Sequence, residues 1–203
     1  MKKLTLVASF ALAALFASNA MAGEDISQAA QTASDVCSKC HGDKGDSTSP
    51  LFPRLAGQQA AYLEQELKLF RDKGRGDPHA RAYMWGIAGP LTDDQIKGLA
   101  TYFSQQRPVK GTPASDPALA AKGKALFQHG DDARGIPVCA SCHGERAEGN
   151  DAIPRLAGQW EDYLVNQMEA FRGTLRVNET MHANTEHLTN DDIQALAAYL
   201  SSL

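Results

Sequence analysis

Cys37-Ser-Lys-Cys40-His41-Gly42 decides how this chain is read, because it returns as Cys139-Ala-Ser-Cys142-His143-Gly144, 102 residues further on. The repetition spreads outward from there. Pro53-Arg-Leu-Ala-Gly57-Gln58 recurs as Pro154-Arg-Leu-Ala-Gly158-Gln159, and Tyr62-Leu63 and Phe70-Arg71 recur as Tyr163-Leu164 and Phe171-Arg172, all shifted by 101. Leu91-Thr92 and Tyr102 recur as Leu188-Thr189 and Tyr199, shifted by 97. Changes of shift place the gaps in loops, so the chain is two homologous lobes of ordinary small-domain size.

Each lobe reads as helical. A first helix over about 26–39 runs into the first cysteine motif, and its counterpart opens with Asp116 as N-cap and Pro117 at the first helical position. Middle helices are expected over 58–72 and 159–172. Leu63, Leu67 and Phe70 share one face there, as do Leu164, Met168 and Phe171. Last helices start at Thr92 and Thr189. Thr92 with Gln95 makes a capping box, and Ile96, Leu99, Ala100 and Phe103 form a stripe copied by Ile193, Leu196, Ala197 and Leu200. No convincing strand pattern occurs. Residues 42–57 and 73–91 read as long loops with few large apolar groups. Three short helices and two long loops bury too little apolar surface unaided, so something else is expected to fill each lobe.

C-x-x-C-H is the attachment signature of c-type haem. Two thiols add to two porphyrin vinyl groups, and the adjacent histidine faces the iron. Cys37, Cys40 and His41 would hold one haem and Cys139, Cys142 and His143 another. The disc of the porphyrin would supply the missing core. A thiol–disulfide pair usually sits in a βαβ context, which is lacking here. Zinc fits poorly, since neither lobe has a second ligand pair near the motif.

The N-terminus places these cysteines. Met1-Lys2-Lys3, an apolar run over 4–17 and Ala20-Met21-Ala22 form a secretory signal peptide of residues 1–22, in a style that fits export to the bacterial periplasm. That run is too short for a comfortable bilayer span, and no other apolar run approaches the roughly 18 residues a span needs. With 43% hydrophobic and 22% charged residues the composition is globular, which rules out wholesale disorder. A net charge of −4 and a pI near 5.8 argue against a nucleic-acid binder.

The sixth ligand decides between electron transfer and chemistry at the iron. Of five methionines, Met1 and Met21 lie in the signal peptide and Met168 matches Leu67 on a helix face. Met84 and Met181 each stand seven residues before a Leu-Thr pair, in equivalent loops, and are the expected axial ligands. His182, beside Met181, is the competing ligand, whereas His79, His129 and His187 read as surface residues. Pro53 and Pro154 follow the proximal histidines by 12 and 11 residues, and their carbonyls could hold the other ring nitrogen. Arg54 and Arg155 could pair with haem propionates.

The two C-x-x-C-H motifs, the two Pro-Arg-Leu-Ala-Gly-Gln segments, Asp116-Pro-Ala-Leu-Ala120 and the Met-to-Leu-Thr spacing resemble the cytochrome c4 family over nearly all the chain beyond residue 22. The resemblance implies an all-α fold of two tandem class I cytochrome c domains, each wrapped around a covalent haem and related by a pseudo-two-fold. The expected domains are 23–106 and 116–203, joined by a linker at 107–115. It further implies His/Met ligation in both lobes and a periplasmic electron carrier, not an enzyme. Its donor would be a quinol-oxidising complex or a dehydrogenase and its acceptor a terminal oxidase, with peripheral membrane association compatible with that role. A dihaem peroxidase with one displaceable ligand is the alternative. Residues 23–106 carry nine Lys and Arg against eleven Asp and Glu, whereas 117–203 carry seven against twelve. The second lobe is therefore expected to steer towards a basic partner.

Overall fold

The computed structural model describes residues 27–203. The expected signal peptide, and with it the compartment it implies, lies outside them, as do residues 23–26 of the first lobe. Lobe one begins with helix α1 at 27–41, whose middle widens into a π turn at Ala33–Cys37 before Ser38–His41. Helix α2 is Ala60–Arg71, α3 opens as a π turn at Ala80–Met84 and continues as Trp85–Ala88, and α4 is Asp93–Ser104. In lobe two, α5 is Pro117–His129, α6 is Ala140–His143, α7 is Glu161–Arg172, α8 is Glu179–Thr185 and α9 is Asn190–Ser201. No strand occurs among the described residues, only the isolated bridges Asp131–Ile136 and Asn150–Ile153.

The termini follow from local chemistry. Thr92 accepts from the Gln95 N–H while the Gln95 side chain accepts from the Thr92 N–H, closing a capping box, and Thr189 with Asp192 does the same. Asp116 accepts from both Ala118 and Leu119 N–H groups, with Pro117 at the first helical position.

Helix α4 packs on α2, and α9 packs on α5 and α7. A Cβ at Gly123 would run into the Ala195 carbonyl, so glycine sets the close approach of α5 and α9. Lobe two is centred on Phe127, Ile136, Leu164, Ile193, Leu196 and Leu200. Lobe one is split: Leu63, Leu99 and Phe103 form one cluster, and Phe70, Ala80 and Ala88 form another. Leu91, partly buried, packs against both clusters.

The structure corrects one expectation. Met84 and Met181 sit on helices, α3 and α8, and not in loops. Both helices are short and partly exposed, so neither writes a clear apolar period into the sequence. Asn178 nucleates α8 by accepting from the Met181 N–H at 2.9 Å. Among the described residues no helix is long and apolar enough to cross a membrane.

Candidate haem sites and the interface between the lobes

Each cysteine pair lies on a helical stretch, where residues three apart share a side. All four thiols are free of disulfides. Burial pushes the Cys37 thiol up and the Cys139 thiol to about 11, so both remain protonated at neutral pH. Each stretch ends at its histidine because Gly42 and Gly144 take φ values of 79° and 84°, in the region that glycine tolerates best. The turn that follows brings a proline carbonyl back to the ring. His41 Nδ1 lies 2.9 Å from the Pro53 oxygen and His143 Nδ1 lies 3.1 Å from the Pro154 oxygen. A carbonyl can only accept, so Nδ1 carries the hydrogen and Nε2 keeps its lone pair. Both rings are buried, and burial holds both below the ordinary histidine value, so they are neutral. Neither Nε2 has a hydrogen-bond partner among the described residues. That is the state a metal-ligating imidazole requires.

The methionine helices are held from beside the methionine. Met84 and Trp85 pack on the Phe70–Ala80–Ala88 cluster, and Trp85 Nε1 donates to the Arg75 carbonyl at 2.7 Å. His182 replaces Trp85 in lobe two, and its Nδ1 lies 3.0 Å from the Phe171 carbonyl. The ring competing with Met181 as a ligand is thus tied down by one nitrogen to the end of α7. In lobe one an aromatic chain runs from His41 to Phe52 at 6.1 Å and from Phe52 to Tyr83 at 5.3 Å, next to Met84.

The repeated Pro-Arg-Leu-Ala-Gly-Gln segments meet each other across the lobes. Gln58 Nε2 donates to the Arg155 carbonyl at 2.9 Å, and Gln58 Oε1 accepts from the Arg155 N–H at 2.7 Å. Gln159 treats Arg54 in the same way, at 3.0 and 2.9 Å. Gly57 N–H donates to the Phe103 carbonyl and Gly158 N–H to the Leu200 carbonyl, both at 2.9 Å, locking each segment to the last helix of its own lobe.

Arg54 departs from the simple propionate expectation. Its Nη1 donates to the Gly158 carbonyl at 2.5 Å and its guanidinium lies 3.9 Å over the Trp160 ring. Arg54 Nε and Trp160 Nε1 are nevertheless buried donors without a protein partner. Two buried orphaned donors on stacked side chains, one of them cationic, fit a carboxylate such as a propionate. Arg155 has its main chain bound by Gln58, and its guanidinium feels the charges of Glu148 and Arg146.

A family model described as Cytochrome c matches residues 26–107 and again 120–203. The chain belongs to the cytochrome c family. Within it the resemblance to cytochrome c4 is specific. A cytochrome c4 of Azotobacter vinelandii is 37% identical over 186 residues, covering 86% of this chain and 88% of the relative. The thiosulfate dehydrogenase electron acceptor of Thiomonas intermedia is 37% identical over 173 residues, covering 82% and 77%. The solved cytochrome c4 of Acidithiobacillus ferrooxidans superposes with a TM-score of 0.78 at 40% identity, covering 82% of this chain and 98% of that one. This cytochrome c is accordingly two tandem haem domains, binds two haem c groups and carries electrons without being an enzyme. The histidine geometry and the orphaned donors fit those groups.

Sequence reasoning missed the residues that join the lobes. Gln58 and Gln159 end a repeated segment in which the sequence points to roles only for the prolines and arginines. Arg75 and Arg176, like Glu66 and Gln167, stand at the shift of 101 already established by their neighbours. The signal was present in that register, but nothing in one lobe alone says that such a position faces its copy.

Proposed function

We propose that this cytochrome c is a periplasmic carrier, exported by cleavage of residues 1–22, with domains at 23–106 and 116–203 joined by a linker at 107–115. Cys37, Cys40, Cys139 and Cys142 would form the thioethers, adding sulfur and hydrogen across the vinyl double bonds. His41 with Met84, and His143 with Met181, would close the two irons. Haem c supplies an iron that cycles between ferrous and ferric. Pro53 and Pro154 orient the imidazoles by accepting the Nδ1 hydrogen. Thioethers are soft, neutral ligands that favour the ferrous state and raise the potential. Arg54 is positioned to bind a propionate at the interface.

The observation that carries this reading is the paired hydrogen bond from proximal histidine to proline carbonyl, present once in each lobe. Electrons would arrive from a quinol-oxidising complex or a dehydrogenase and leave to a terminal oxidase. The name of the Thiomonas relative supports a dehydrogenase as donor. The excess of acidic residues over 117–203 favours a basic partner at lobe two.

Absorption spectroscopy tests the ligands. Met84→Ala and Met181→Ala should each remove about half of the methionine–iron charge-transfer band of the oxidised protein, one lobe in two. An unchanged band in either variant would remove that methionine from the assignment.

A further inference from the structure

Between the lobes lies a closed ring of four buried side chains. Glu66 on α2 and Gln167 on α7 occupy the same register position, and Arg75 and Arg176 occupy another. Arg75 Nη1 bonds Glu66 Oε2 at 2.6 Å and Arg75 Nη2 donates to Gln167 Oε1 at 2.6 Å. Arg176 Nη2 lies 2.8 Å from Glu66 Oε1, and Arg176 Nη1 donates to the same Gln167 oxygen at 2.8 Å. One carboxylate and one amide oxygen therefore serve both arginines. Asp77, 2% exposed, bonds Arg75 Nε at 2.7 Å and completes the neutralisation of two buried cations.

The ring is asymmetric where its frame is symmetric. Arg75 stacks on Phe70 and Arg176 on Phe171, at 4.7 and 4.4 Å. Yet both carboxylates, Glu66 and Asp77, come from lobe one, and their counterparts are the neutral Gln167 and Asn178. Arg75 finds both carboxylates in its own lobe, whereas lobe two offers Arg176 none. Arg176 depends on Glu66 across the interface.

Each arm of the ring ends beside a methionine. The Arg75 carbonyl holds the Trp85 indole, next to Met84, and Asp77 accepts from the Ala80 N–H at the start of α3. In lobe two, Asn178 caps the helix of Met181, two residues after Arg176. The His182 ring, beside Met181, is held by the Phe171 carbonyl, at the residue on which Arg176 stacks. Buried ion pairs add little net stability against apolar packing, but removing one partner is costly because the other charge is left buried and uncompensated.

We propose that Arg75 is a positioning residue for both haem centres: through the shared Glu66 and Gln167 it ties the Met84 helix to the Met181 helix, so that displacing one resets the other. This rests on the reading of Met84 and Met181 as iron ligands.

The test is proton NMR of the reduced, fully loaded protein, in which an iron-bound methionine S-methyl group gives a ring-current-shifted signal, one per lobe. Arg75→Lys keeps the charge but loses the planar fork. Both signals should shift, with two haems still bound per chain. Glu66→Gln keeps the shape and removes the shared charge, and should again move both; it decides the matter if Arg75→Lys does not fold. A part that merely glued the lobes together would leave both signals in place. Movement of the Met84 signal alone, or of neither, overturns the coupling. Absence of both signals from the unaltered protein would instead overturn the ligand reading, and the proposal with it.

Discussion

Gln58 grips the main chain of Arg155 at both its N–H and its carbonyl, and the amide of Gln159 does the same to Arg54. The two grips make one interface from a single motif used twice. Gln58→Ala strips two main-chain groups of their partners at a half-buried contact. An unmade buried hydrogen bond costs about 1–3 kcal/mol. Urea unfolding should therefore lose stability by about that amount, and the single transition expected of joined lobes should separate into two. Retention of one transition at an unchanged midpoint would show that the grip contributes little to holding the lobes.

Asp192 supplies a pH dependence. Hydrogen bonds from Arg134 and Thr189 hold its carboxyl down at about 2. In the unfolded chain the group titrates near 3.9. The folded value is the depressed one, so its contribution is fully present above about pH 4 and disappears as pH falls towards 2. Asp192→Asn should flatten the acid limb of a stability–pH curve in this window while leaving its shape near neutrality. Arg134 bonds Asp192 Oδ2 at 2.8 Å, and Arg134→Ala should weaken the same limb.

Gly123→Ala sets two effects against each other. Alanine is the better helix former by about 1 kcal/mol. Its Cβ, however, would meet the Ala195 carbonyl, which is main chain and cannot rotate aside. Overpacking costs about 1–3 kcal/mol, so the clash wins. A drop in Tm of roughly 2–4 °C per kcal/mol lost is expected for a cooperative unit of two joined lobes. The whole of that single transition should move.

Legibility in the sequence followed the physics of each element. The capping boxes at Thr92 and Thr189 and the Asp116-Pro117 start depend on neighbouring residues, so they can be read from neighbours alone. The cysteine motifs and the repeat register were equally plain. Helices α3 and α8 were missed because a few half-exposed residues, held by Trp85, Asn178 and the lobe core, leave no apolar period. The interface was illegible for another reason. Gln58, Glu66 and Arg75 are buried polar residues whose partners include Arg155, Arg176 and Gln167 of the second copy, and nothing in one lobe's sequence names those partners. Arg54 shows the limit: a propionate partner is a fair reading of its type, but its bond to the Gly158 carbonyl belongs to the fold of the pair.

Trp160→Phe distinguishes a filled site from a wasted donor. Trp160 Nε1 and Arg54 Nε are buried with no protein acceptor. If nothing accepted from the indole, phenylalanine would relieve an unsatisfied group and keep a ring under the Arg54 guanidinium, so stability would hold or rise. With an anionic haem carboxylate between the two donors, the substitution removes a charge-assisted hydrogen bond, worth about 1.5–3 kcal/mol. Thermal unfolding of the fully loaded protein should therefore show a lower Tm in the variant. The reduction potential of the affected haem should fall too, because a carboxylate released from a donor places more negative charge near the iron and favours the ferric state.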